Sequence, residues 1–236
     1  MKISCCWEHN GNDSLLYAID YIGAFTRGQT KEIAIKKMPK EISSYLSWIG
    51  EFKEEEIIID IIQDKQSDLQ ICDADSDVIF EKEQNPLSKD EYINLKSLAL
   101  KSSQDFHKMY MSIHEKDKTC LPERKTFYGL IPRTANEMYE HTKNVTSYYF
   151  GEIGINADNC GTIFECRKRG FELLEMSPDY LNNSVICGSY GEYWSLRKVL
   201  RRFIWHDRIH AKAMYRMAIK TFGTDSAEDV YKFGFL

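Results

Sequence analysis

The sequence has no CxxC pair, no HExxH motif, no internal repeat and no low-complexity segment. Its seven cysteines form an odd set without the spacing of a zinc site, which predicts reduced thiols that bind no metal. No apolar run approaches the ~18 residues of a membrane-spanning helix, and no signal-peptide run follows Met1. These absences predict a cytoplasmic protein without membrane contact.

Acidic charge is concentrated in the first third of the chain. Residues 1–86 hold 9 Lys and Arg against 17 Asp and Glu, whereas residues 87–236 hold 22 against 19. The net charge changes from −8 to +3 near Asn85 and Pro86, which predicts two domains with a boundary there. A domain with this negative charge is repelled by the phosphate backbone of nucleic acids. No nucleic-acid partner is therefore expected.

Residues 1–86 have the pattern of an α+β domain, with short β-prone segments around one helix. Thr30 is the predicted N-cap of this helix and Gly50 its stop signal. Pro39 lies inside the helical pattern and predicts a kink or a break. The segment 26–30 is predicted to be a turn. The predicted strands are 3–7, 15–22, 57–62 and a last strand or hairpin over 68–80.

Helical patterns dominate residues 87–236. Ser88 and Thr134 each open a capping box, because a Glu follows three residues later. The loop between the first two helices contains Pro122 and Pro132. The predicted helices are 88–113, 134–153, 159–176, 190–222 and a short one over 225–233. Four main helices joined in sequence predict an all-α, up-down four-helix bundle.

Two histidines, His206 and His210, lie four residues apart in the last long helix. This spacing places both imidazoles on one helix face, one turn apart, where they can reach a single ion. Neutral imidazole binds Zn, Ni, Fe and Cu. The alternative is that each ring bonds a neighbouring carboxylate. Asp207 points about 100° around the helix from His206, and no Glu follows the first His, so the motif is not that of a zincin.

A catalytic metal needs at least one further protein ligand. His141 is the best candidate, because it lies mid-helix on a face with apolar neighbours, which predicts a buried or half-buried ring. The alternative is a core histidine bonded to a carbonyl. His107, late in the first helix of this region, is the rival ligand. His9 and His114 are predicted to face solvent.

A short acidic cluster needs a separate interpretation. Asp73, Asp75 and Asp77 match the first three ligand positions of an EF-hand loop. Ile79 and Phe80 follow where that loop has glycine and further oxygen ligands, and no helix pair flanks it. The pattern therefore predicts an exposed acidic turn rather than a calcium site.

The helical region resembles a known superfamily in two segments. These are TANEMYEH (residues 134–141), a capped helix start followed by His, and VLRRFIWHDRIH (residues 199–210), about 65 residues further on. Together they resemble the DinB-like superfamily over roughly residues 88–236. The resemblance implies a four-helix bundle that holds one divalent metal ion, Zn, Ni or Fe, through three histidines. On the matching positions these are His141, His206 and His210.

The N-terminal region is similar to another family in one short segment. AFTRGQTKEIA (residues 24–34) resembles the strand-to-helix corner of HicB-like domains, small α+β folds that include antitoxin modules. The resemblance covers roughly residues 1–80. It implies a fold and assigns no chemistry.

Two functions are compatible with these patterns. The first is a metal-dependent enzyme, because DinB-like proteins include thiol-dependent transferases and isomerases; this implies transfer or hydrolysis on a small-molecule substrate. The second is a non-enzymatic interaction or regulatory protein whose HicB-like domain binds a partner or forms a homodimer. A free coordination position facing a cavity favours the enzyme, and a fourth protein ligand favours a structural site.

No catalytic residue is identified from the sequence. Glu137, Glu140 and Asp207 lie within a few residues of the candidate ligands and are the acidic groups available as a general base. Three further residues could line a pocket, or could equally form bundle core and a solvated arginine: Tyr193, Trp194 and Arg197.

Overall fold

The computed structural model describes residues 1–53, 55–126 and 129–234. The N-terminal part is a mixed four-stranded sheet with one helix. Its elements are β1 (Lys2–His9), β2 (Ser14–Ala18), β3 (Phe25–Gly28), α1 (Lys31–Trp48) and β4 (Ile58–Gln66). The strand order is β3-β2-β1-β4, in which only the β1–β4 pair is parallel. Helix α1 packs against β2, β3 and β4.

Helix α1 begins and ends where the sequence predicts. The side chain of Thr30 accepts a hydrogen bond from the backbone N–H of Ile33, which confirms the predicted N-cap. The helix is not broken at Pro39, although the missing N–H removes one bond of the helical ladder. Met38 and Ile42 are fully buried on either side of that position, so packing compensates for the lost bond.

Two predictions for the N-terminal part are wrong. The predicted turn over 26–30 begins inside β3. This strand pairs with β2, with Tyr17 opposite Phe25 at one end and Ser14 opposite Gly28 at the other. Strand pairing across a short loop decides this segment, and its own sequence carries little β signal. The predicted strand or hairpin over 68–80 contains no strand; a 3₁₀ turn at Ile71–Asp73 and irregular chain replace it.

The C-terminal part is mostly helical. Its helices are α2 (Lys89–Ser112), α3 (Ala135–Gly151), α4 (Ile163–Glu175) and α5 (Leu196–Phe222). Two small hairpins interrupt them: β5 (Lys125–Thr126) with β6 (Gly129–Leu130), and β7 (Ile186–Cys187) with β8 (Tyr193–Trp194). Residues 127–128, between β5 and β6 in sequence, lie outside the described residues. Helices α2 and α3 each contact both α4 and α5.

The capping boxes predicted at Ser88 and Thr134 are both present. The fourth main helix starts later than predicted, at Leu196, because β8 and a turn containing Tyr190 at φ 61° precede it. Within the described residues, 225–233 forms turns rather than the predicted short helix. Helical character over the C-terminal part is confirmed, whereas the up-down bundle order stays a prediction.

Apolar contacts connect α5 to the sheet. A Cβ on Gly23, which has φ +93°, would lie 2.4 Å from the Ile204 side chain, so only glycine fits this approach. Trp205 packs against Tyr17 and Phe25 with ring centroids 5.9 and 6.0 Å apart. Helix α5 therefore faces the sheet on one side and the other helices on the opposite side.

Buried ion pairs reinforce the same junction. Arg201 of α5 donates to the carboxylate of Glu83, and both side chains are almost inaccessible. Arg208 and Lys212 both donate to Glu41 of α1. These contacts lie across the predicted boundary at 86/87. The division into two domains, 1–86 and 87–236, stays a prediction. None of the described helices combines the length and apolar character that a bilayer crossing requires.

Candidate metal centre

The three histidines singled out by the sequence lie together. His141 on α3 faces His206 and His210 on α5, and one nitrogen from each lies within 4.8 Å of the others. The ring centroids are 5.1 Å apart for His141–His206, 4.7 Å for His141–His210 and 4.5 Å for His206–His210. These three residues could hold one metal ion. Helical spacing sets the pair on α5, and packing of α3 on α5 adds the third ring.

The rings are kept neutral by their surroundings. Burial, reinforced by the neighbouring imidazoles, lowers the pKa of His206 far below its ordinary value, and burial lowers the pKa of His210 to about 3. His141 is exposed, so the prediction of a buried or half-buried ring is wrong, yet desolvation by the surrounding protein still lowers the pKa of its imidazole. Metals bind the neutral form of imidazole, so the protonation state suits ligation.

One nitrogen of the cluster lacks the partner that a buried polar atom normally has. His206 Nδ1 is inaccessible to solvent and has no hydrogen-bond partner among the described residues. Buried polar atoms without a partner cost roughly 1–3 kcal/mol, so such an atom calls for an explanation. Within the described ranges no carboxylate is bonded to the three imidazoles, and such a set of rings fits a zinc, nickel or iron ion. This observation argues against the alternative in which each ring bonds an acidic neighbour.

The cluster opens into a large pocket of about 760 Å³. Small-molecule sites typically measure ~300–1,000 Å³, so the cavity has room for a substrate. Its walls come from α3, α5, the segment 69–77 and the turn before β8. The residues that line it include Asp75, Asp77, Tyr148, Tyr149, Glu192, Arg202, Trp205 and Ile209.

The segment 73–77 lies at this pocket rather than on the open surface. Ser76 is buried, and Asp73, Asp75 and Asp77 are half-buried, so the predicted exposed acidic turn is wrong. Glu8 of β1 accepts hydrogen bonds from the Ser76 hydroxyl at 2.6 Å and from the Asp77 backbone at 3.2 Å. These bonds tie the segment to β1, an inner strand of the sheet.

The rival histidine, His107, is outside the cluster. Its Nδ1 is hydrogen-bonded to the Tyr139 hydroxyl at 2.9 Å on another face of the helices. His114 is exposed, as predicted. His9 is partly buried, stacked on Trp7 at 3.8 Å and bonded to a carboxylate, so the prediction that it faces solvent is wrong.

The other predicted pocket residues have different roles. Asp207 binds Arg167 in the core and therefore does not face the pocket. Arg197 donates to the backbone of Asn85 and Pro86. Trp194 is fully buried, and neither it nor Tyr193 is among the residues that line the pocket.

Sequence reasoning missed three contributors to the pocket wall. Arg202 lies one turn before His206, so the i, i+4 spacing that identified the histidines could have identified it as well. Glu192 and Tyr190 lie in an irregular turn before β8, and no periodic sequence pattern predicts such a turn. Comparisons with protein-family models, curated proteins and solved structures returned no match.

Proposed function

We propose that His141, His206 and His210 bind one divalent metal ion and that the protein is a metal-dependent enzyme acting on a small molecule. The three-histidine cluster at the wall of a large pocket carries this proposal. Within the described residues, no fourth His, Cys, Asp or Glu joins the cluster. Three protein ligands leave a coordination position for water or substrate, as in catalytic zinc sites.

When bound, such a metal lowers the pKa of a coordinated water or thiol, which favours hydrolysis or thiol transfer. The chain itself supplies the surroundings. Tyr149 packs edge-on against His206 with centroids 6.0 Å apart, and restricts how that ring can turn. Trp205 and Ile209 border the pocket beside the ligands and exclude water from its apolar side.

The resemblance to known families belongs to the same proposal. Residues 87–236 are proposed to be a DinB-like domain, supported by their helical content and by three histidines in the pattern of that superfamily. Residues 1–86 are proposed to be a HicB-like domain. The segment 24–34, which carries that resemblance, runs from β3 into α1.

Metal analysis of the purified protein tests the proposal. After incubation with Zn²⁺, Ni²⁺ or Fe²⁺ at neutral pH, we expect one ion per chain. His206→Ala should lose most of the bound ion, because even substitution of residues that only support the metal ligands lowers metal affinity roughly 10–100-fold. His107→Ala is the matched control and should keep the wild-type content. A protein that stays metal-free, or one whose metal content follows His107, would refute the assignment.

A second measurement separates an open site from a structural one. Loading with Co²⁺ makes the coordination visible by absorption spectroscopy. Addition of 2-mercaptoethanol should produce a sulfur-to-cobalt charge-transfer band if a coordination position is free. A spectrum that the thiol leaves unchanged would contradict the enzymatic role.

A further inference from the structure

The pocket contains a buried cation that makes no hydrogen bond to any described residue. Arg202 lies on α5 one turn before His206, lines the same pocket and has only 9% of its surface exposed. Its Nε and Nη1 are buried, and neither has a hydrogen-bond partner in the part of the chain that the structure describes. Guanidinium is seldom buried unless it is paired.

The nearby acidic groups do not hydrogen-bond Arg202, although Glu192 Oε1 and Asp77 Oδ1, both buried, accept no hydrogen bond within the described residues. Glu192 Oε1 is 3.9 Å from Arg202 Nη2, beyond hydrogen-bond distance, and only 2.8 Å from Lys198 Nζ. Glu8 adds attraction at longer range, but Ser76 and the Asp77 backbone bond its carboxylate oxygens. The guanidinium is therefore attracted by its surroundings without being bonded by them.

Other buried arginines of α5 differ in this respect. Arg201 donates to Glu83, Arg208 donates to Glu41, and Arg197 donates to Glu91. Some of their nitrogens are also unpaired, but each arginine donates at least one hydrogen bond to a carboxylate. Within the described residues Arg202 alone of this group donates none. A structural ion pair does not account for its position.

The walls around Arg202 limit what can bind there. Trp205 and Tyr149 flank its guanidinium, with ring centroids at 4.7 and 5.6 Å, and provide apolar surface. Asp75 also acts electrostatically on this group, and Asp77 lies on the same pocket. These carboxylates disfavour a dianion such as a phosphate monoester. A planar carboxylate matches the two-point geometry of guanidinium.

We propose that Arg202 binds the carboxylate of a small monoanionic substrate with an aromatic or apolar body, and holds it beside the three-histidine centre. This inference rests on the proposed function, because it assigns the substrate class of the same pocket. Arg202 acts in substrate binding, and the histidines hold the metal.

Paired probes test the inference by calorimetry on the zinc-loaded protein. Benzoate should bind about 10- to 100-fold more tightly than the isosteric neutral benzamide, the usual contribution of charged hydrogen bonds. Phenyl phosphate should bind more weakly than benzoate. Arg202→Gln should remove the preference for benzoate, whereas Arg124→Gln, the same charge change at an exposed lining residue, should retain it.

The zinc content of each variant is measured separately, so that a failure of carboxylate binding can be distinguished from a failure of metal binding. Arg202→Gln should retain one zinc per chain. If this variant fails to fold, Arg202→Lys replaces it: lysine keeps the positive charge and should keep only part of the preference for benzoate. Equal binding of benzoate and benzamide by the wild type would overturn the inference, even with zinc in place. So would tighter binding of phenyl phosphate. Benzoate binding that survives in Arg202→Gln and alters its cobalt spectrum would place the carboxylate on the metal instead.

Discussion

Asp207 and Arg167 form a two-point ion pair that is fully buried between α5 and α4. Two guanidinium nitrogens of Arg167 donate to the two carboxylate oxygens at 2.6 and 2.9 Å, and neither side chain is exposed. The guanidinium also lies 4.3 Å from the ring centroid of Phe203. Asp207 follows His206 in sequence, yet it connects two helices and takes no part in the pocket. It therefore fixes the side of α5 that presents the histidines.

Removing one partner of this pair should destabilise the protein strongly. Asp207→Asn leaves the buried Arg167 charge uncompensated, for which the expected loss of unfolding free energy is ~3–5 kcal/mol. The double variant Asp207→Leu/Arg167→Met removes both charges and should lose less. Urea unfolding measures both. If Asp207→Asn were as stable as the wild type, the ion pair would not contribute to the free energy of unfolding.

Acid should weaken the junction between α1 and α5 through Glu41. Burial alone raises the pKa of this carboxyl, but Lys212 and Arg208 outweigh burial and leave it below its ordinary value. The ionised Glu41 therefore stabilises the fold at pH values above the pKa of ~4.3 that a Glu has in the unfolded chain. This contribution is lost as the pH falls through the lower pKa of Glu41 in the folded chain. Thermal unfolding between pH 7 and 3 should show the loss in the wild type and a smaller one in Glu41→Gln.

The two cations at Glu41 should not contribute equally. Burial lowers the pKa of Lys212 to about 8, because two cations share one carboxylate and desolvation outweighs the attraction for this one. Lys212→Met should consequently cost less unfolding free energy than Glu41→Gln, which leaves both cations unpaired. Equal losses for the two variants at pH 7 would contradict this account.

Metal binding should stabilise the folded chain. An ion that binds only the native state at ~100 times its dissociation constant adds ~2.7 kcal/mol, or about 5–10 °C in melting temperature for a chain of this size. A chelator should reverse the shift. His210→Ala should show neither effect, and a shift of wild-type size in that variant would place the ion elsewhere.

The cysteines should react in two classes. All seven are free. Burial raises the pKa of the Cys5 thiol to about 12 and also raises the pKa values of Cys6 and Cys166, so little thiolate forms at pH 8. The exposed cysteines, which should react rapidly with a thiol reagent in the native protein, are Cys72, Cys120, Cys160 and Cys187. Unfolding should release the other three, and Cys187→Ser should reduce the rapid class by one. Fewer than seven thiols in unfolded, unreduced protein would reveal a disulfide.

The sequence determined what depends on neighbours along the chain. Capping residues at Thr30, Ser88 and Thr134 marked helix starts, because a cap acts within one turn. The four-residue spacing of His206 and His210 placed both rings on one face for the same local reason. The resemblance further singled out His141, whose place beside that pair depends on how α3 packs against α5.

Contacts between groups that are distant in sequence follow from tertiary packing. Strand β3 exists because β2 pairs with it, and the segment 68–80 lies against the pocket because Glu8 holds Ser76. The isolation of Arg202 likewise depends on which carboxylates Lys198 and Ser76 already occupy. Such contacts join elements far apart in sequence, and the energies that select them come from packing and desolvation rather than from local periodicity.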